Sequence, residues 1–184
     1  MIRQHTLKLS TLVAAVVALV GAGSAHAAIA FDIQTGTNTQ TGFTAVTGFP
    51  ASDGTVTLSV DVSPSGFRDR GITSPISGDP DAAIMRDLAF WSTSDPITFT
   101  FSGLQASTEY TGTTWAVDAE SGNSGKNIDF TTSGGTVSIT TSNTDASYNP
   151  IALENLTSDA LGNATIVMDH TGGAGGAVSF TNGF

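Results

Sequence analysis

Thr55-Val56-Thr57-Leu58-Ser59-Val60-Asp61-Val62 decides the fold of this chain, because apolar and polar residues alternate along its whole length. An extended backbone throws successive side chains to opposite faces. A period of two therefore builds a strip that is apolar on one side only, as a half-buried strand requires. The same rhythm recurs elsewhere. Ile29, Phe31 and Ile33 alternate, as do Ile97, Phe99 and Phe101, with Thr98 and Thr100 turned the other way. Tyr110 to Asp118 reads as a further strand with Trp115 and Val117 on one face. Ile128 with Phe130, Val137 with Ile139, Ile166 with Met168, and Val178 with Phe180 mark others. Turn residues punctuate the series at Asp53-Gly54, Ser65-Gly66, Ser102-Gly103, Ser121-Gly122-Asn123 and Gly172-Gly173. Many short strands with Gly-rich turns predict an all-β fold, an antiparallel β-sandwich of jelly-roll type. One segment departs from the pattern. Asp81 to Leu88 predicts one or two helical turns, with Ile84 and Leu88 sharing a face, before Phe90 and Trp91 re-enter the sheet.

The first 27 residues carry a different message. Arg3 and Lys8 precede an apolar run from Leu12 to Gly21, and Ala25-His26-Ala27 supplies a small-x-small cleavage triplet. That combination reads as a secretory signal peptide over residues 1–27, which implies an extracellular protein. The apolar run is shorter than the roughly 20 residues a membrane span needs. No second such run follows, so no transmembrane segment is expected in the mature chain. Residues 28–184 are long enough for one domain with a sizeable core.

Composition narrows the partners. Beyond residue 27, only Arg68, Arg70, Arg86 and Lys126 stand against sixteen acidic residues. No basic patch can neutralise phosphates, so nucleic acid is not an expected partner. Neutral glycans, cations or self-association remain compatible. There is no cysteine, which excludes disulfides and thiol chemistry. The one histidine beyond residue 27, His170, cannot build a multi-histidine zinc site. No Gly-x-Ser-x-Gly elbow accompanies it, and it reads as a loop residue where a strand meets a Gly-rich turn.

Four stretches carry a resemblance. They are Gln40-Thr41-Gly42-Phe43-Thr44; Phe67-Arg68-Asp69-Arg70-Gly71 with Met85-Arg86-Asp87-Leu88-Ala89-Phe90; Ile97 to Tyr110; and Thr181-Asn182-Gly183-Phe184. In this order the chain resembles the secreted galactose-binding-like jelly-roll domains of bacterial extracellular proteins. The resemblance implies sugar binding through loops at one end and, in some members, a structural Ca²⁺. The Leu104–Tyr110 corner also occurs in fibronectin-like sandwiches, so strand order stays open. Tyr110 itself reads as the pin of that corner, its hydroxyl bonded back to nearby backbone.

The densest polar cluster is Arg68, Asp69, Arg70, Asp79, Asp81, Arg86 and Asp87, next to Trp91. As a ligand site, Arg68, Asp69, Arg86 and Asp87 would grip sugar hydroxyls through charge-assisted hydrogen bonds, with Trp91 as a stacking platform. As structure, Arg68 or Arg70 would pair with Asp87 and tie a loop to the sheet. Asp118, Glu120 and Asn123 form a second group, whose oxygens suit a possible structural Ca²⁺ better than a glycosidase pair. The expected function is non-catalytic binding, with a glycan the leading ligand. The alternative is a structural or adhesive matrix protein that joins partners through an exposed strand edge. Exposure of Trp91 or Trp115 favours the first reading; burial of both favours the second.

Overall fold

The computed structural model describes residues 29–35, 39–40, 42–69, 71, 82–118, 125–141, 150–173 and 178–184. The segment read as a signal peptide, together with Arg70, Asp79, Asp81, Glu120 and Asn123, lies outside them. The expected all-β antiparallel sandwich with one short helical turn is what forms.

The first layer is a six-stranded antiparallel sheet. Its strands are β3 (Ala51–Ser52), β4 (Thr57–Val60), β7 (Ile97–Ser102), β9 (Lys126–Thr131), β10 (Thr136–Thr140) and β12 (Asn163–Gly173). They lie in the order β10-β9-β12-β7-β4-β3. β7 is central and the cleanest case of alternation. Ile97 and Phe99 are fully buried and Phe101 nearly so, while Thr98 and Thr100 are half-exposed. Turns between strands demand glycine where the backbone crowds. At Gly103, φ is +91°, and a Cβ would sit 2.4 Å from the Thr55 carbonyl oxygen.

The opposing layer is assembled from shorter pieces. β5 (Gly66–Asp69), β6 (Asp87–Trp91) and β13 (Ser179–Thr181) form one sheet, ordered β13-β6-β5. β8 (Glu109–Thr114) pairs with β11 (Ile151–Thr157), and β1 (Phe31–Ile33) pairs in parallel with β2 (Thr44–Val46). The C-terminal residues join these pieces. Gly183 bridges to both Asp32 and Trp115, and Phe31 and Phe184 exchange backbone hydrogen bonds of 2.8 and 3.0 Å.

The helical expectation shortens to α1 (Ala82–Met85). Leu88 does not continue it. The chain turns at Arg86 and enters β6, where Leu88 is buried by the sheet. His170 likewise lies inside β12 rather than in a loop.

The core fills the space between the layers. Phe99 meets Trp91 edge-on at 5.5 Å between ring centroids and Phe184 at 4.8 Å, while Phe101 meets Phe31 at 6.2 Å. Aromatic burial of this kind supplies both area and directional packing. Truncating Phe99 to alanine is therefore expected to lower the unfolding free energy by about 3–5 kcal/mol. Thr100→Ala, on the outer face of the same strand, should change it by less than about 1 kcal/mol. Urea denaturation of both variants checks the assignment of faces.

Candidate functional site

The antiparallel pairing of β5 with β6 sets Asp69 opposite Asp87 and Arg68 opposite Leu88, so much of the polar cluster does converge. Its internal connections are structural. Arg86 forks onto Asp69, with Nε donating to Oδ1 at 2.8 Å and Nη2 donating to Oδ2. The guanidinium holds the Asp69 carboxyl down at a pKa of about 2. The Arg68 guanidinium carbon lies 4.2 Å from the centre of the Phe90 ring, a cation–π contact. Among the described residues, the arginine–aspartate pair that ties this region together is Arg86–Asp69.

Two proposed sugar contacts are corrected here. Trp91 is 1% exposed, packed among Phe49 and Phe99, and its Nε1 donates to the Val62 carbonyl at 2.7 Å. No face of its ring is open for stacking. Asp87 is also buried, and it accepts a 3.0 Å bond from the Thr35 hydroxyl. Both follow from the position of β6 between β5 and β13, in a layer covered on each side.

Trp115 is buried as well, with Phe43 against it edge-on at 6.0 Å. Asp118, on the same segment, is buried. Its proposed companions Glu120 and Asn123 lie outside the described residues. Among the described residues, no group of three Asp, Glu or His side chains converges to hold a metal.

Three features escaped the sequence reading. The first is a cavity of about 610 Å³ between β8, β11 and the six-stranded sheet, floored by Phe101, Leu156, Ile166 and Phe184. Tyr110 lines it. Its hydroxyl accepts from the Gln105 backbone N–H at 3.0 Å, the corner pin that the sequence predicted.

The second is the outer edge of β10. Thr132 donates to the Gly135 carbonyl and Thr141 to that of Lys126, which fixes which backbone groups face β9. By alternation, those of Val137 and Ile139 point inward, and those of Thr136, Ser138 and Thr140 point out. All three outward residues are exposed, and no described residue bonds to their outward backbone groups.

The third is a buried polar group on β1. Alternation assigns Asp32 and Gln34 to solvent, yet they are 0% and 1% exposed. Asp32 Oδ2 accepts the Gln40 backbone N–H at 2.7 Å, and Gln34 Nε2 donates to the Thr39 hydroxyl at 2.5 Å. Residues 39–40 therefore roof this face of the strand. Burial, aided by repulsion from Asp87, pushes the Asp32 pKa up to about 6. Burial raises Asp87 as well. Nothing in a single sequence flags this, because an aspartate between two core residues reads as the polar side of an amphipathic strand.

No protein-family model, curated protein or solved structure matches the chain.

Two measurements check this geometry. With both tryptophans buried, native fluorescence should be blue-shifted and weakly quenched by acrylamide; quenching close to that of free tryptophan would refute the placement. The second concerns pH. Folded Asp32 holds its proton more tightly than the unfolded chain, which titrates near 3.8. The folded state therefore carries extra protons between pH 4 and 6, and stability must fall as pH rises through that window. In metal-free buffer, urea midpoints should decline from pH 4 to 6, and Asp32→Asn should flatten most of that slope.

Proposed function

We propose that this chain is an exported, non-catalytic structural or adhesive domain that associates with further copies of itself by strand addition along β10. The observation that carries the reading is the edge of a six-stranded sheet at Thr136-Val137-Ser138-Ile139-Thr140, whose outward backbone groups bond to no described residue. Sheet edges are commonly blunted by lysine, proline, inward charges or a bulge. None of these interrupts β10. Burial of Trp91 also removes the stacking platform on which the glycan reading depended. Two copies of β10 meeting antiparallel about a dyad would place Ser138 opposite Ser138 and Thr136 opposite Thr140. No like charges would then face one another within the new ladder.

A small-ligand reading draws support from the cavity, whose lining adds Tyr110, Thr111 and Thr113 to an apolar floor. Concave, mostly apolar sites with a few polar groups are the usual seats of ligands. On that reading a sugar or other small ligand sits in this cavity rather than at Trp91.

Sedimentation velocity over a concentration series separates the two. The purified protein should associate, and more strongly at high salt, because screening relieves repulsion between copies carrying a net charge of −10. Ser138→Pro removes only an outward N–H and should leave the melting temperature nearly unchanged while abolishing association. Ile139→Pro removes an inward ladder bond and should destabilise the fold itself. A wild-type protein that stays monomeric at every concentration and salt, or a Ser138→Pro variant that associates as well as wild type, would overturn the strand-addition reading.

A further inference from the structure

Asp32 and Gln34 sit two residues apart on one face of β1, opposite the core residues Phe31 and Ile33. Each is anchored through one atom, Asp32 by Oδ2 to the Gln40 N–H and Gln34 by Nε2 to the Thr39 hydroxyl. That leaves Asp32 Oδ1 and Gln34 Oε1 buried with no hydrogen-bond partner. Both are pure acceptors, and both lie beneath residues 39–40. Burial of an acceptor without a partner is unfavourable, and more so for a carboxylate.

Among the described residues, the nearest charge is negative. Asp87 lies close enough to repel Asp32, and its own Oδ1 is taken by the Thr35 hydroxyl. Arg86 is turned away onto Asp69 and reaches only 4.0 Å from Asp87 Oδ2.

We propose that Asp32 Oδ1 and Gln34 Oε1 are ligands of a divalent-cation site, with Asp87 as its second negative charge, and that Ca²⁺ is the cation it takes. Oxygen-only donors, one carboxylate and one amide, are the set that hard cations prefer. With so few side-chain ligands, the affinity belongs at the weak end, about 10⁻⁴–10⁻³ M, as in extracellular modules. This site is separate from Asp118, Glu120 and Asn123 and does not rest on the β10 reading.

The test is the melting temperature of the purified full chain, first in EDTA and then in rising CaCl₂ at constant ionic strength. Wild type should gain several degrees, with half-saturation in the sub-millimolar to millimolar range. In EDTA, Asp32→Asn should melt above wild type, because its neutral amide supplies the donor that both orphaned oxygens lack. That variant should then gain nothing from Ca²⁺, so the order of the two proteins reverses. If Asp32→Asn does not fold, Gln34→Glu decides. Its half-saturation should fall at least tenfold, with a lower melting temperature than wild type in EDTA. A wild-type curve flat to 10 mM Ca²⁺ would overturn the proposal, leaving a proton as what satisfies the pair. Equal Ca²⁺ responses in wild type and the variant would overturn it too, as screening of acidic residues elsewhere.

Discussion

The opposing layer of this sandwich hangs on one buried side-chain amide, that of Asn182. Its Oδ1 accepts the Val117 N–H at 2.6 Å, and the two protons of Nδ2 are shared among the carbonyls of Asp87, Val117 and Met85 at 2.7, 3.1 and 3.2 Å. These groups belong to β6, to the last residue of α1 and to the segment that follows β8. A backbone strand can pair with at most two neighbours. Where short pieces of chain meet at a junction instead of forming a continuous ladder, their backbone groups need side-chain partners. Asn182 supplies both a donor and an acceptor in one planar group. Thr114 and Thr181 do the same alongside it. The Thr114 hydroxyl donates to the Gly183 carbonyl at 2.8 Å, and that of Thr181 to the Trp115 carbonyl at 3.1 Å.

This junction explains why the two layers behave differently. The six-stranded sheet is a continuous ladder, and its alternating strands bury one face against the aromatic cluster of Phe49, Trp91, Phe99 and Phe184. The other layer buries two of its strands on both faces. β1 and β13 are covered throughout, so polar residues such as Asp32, Ser179 and Thr181 end up inside. Thr181 and Asn182 find partners, whereas Ser179 Oγ does not. Asp32 and Gln34 each keep one oxygen without a partner, and that pair gives β1 its proposed ligand. The edge at β10 arises from the opposite circumstance, a regular ladder whose last strand has no further hydrogen-bonded neighbour among the described residues.

Legibility in the sequence followed the same division. Ile97, Phe99 and Phe101 announced their strand because one side faces the core and the other water. The corner at Tyr110 was readable because its residues act locally. β11 was missed because a bulge lies between Leu153 and Leu156, so its two buried leucines stand three apart and the period of two is lost. β1 was legible as a strand from Ile29, Phe31 and Ile33, but the burial of Asp32 on its other side was not, since it comes from the tertiary junction. Trp91 invited a ligand role through its polar neighbours in sequence, yet its indole completes the core. Of the polar cluster, Arg68, Asp69, Arg86 and Asp87 lie on or beside β5 and β6, and their partners are set by the β5–β6 register, which no local pattern encodes.

The account's central claim is that the C-terminal strand locks the layer through Asn182, and the unfolding free energy of Asn182→Asp tests it most directly. The substitution preserves shape but deletes both protons of Nδ2, leaving buried carbonyls unpaired beside a new buried charge. Urea denaturation should show a loss of about 3 kcal/mol or more. A loss below about 1 kcal/mol, with an unchanged dependence on urea, would contradict the claim.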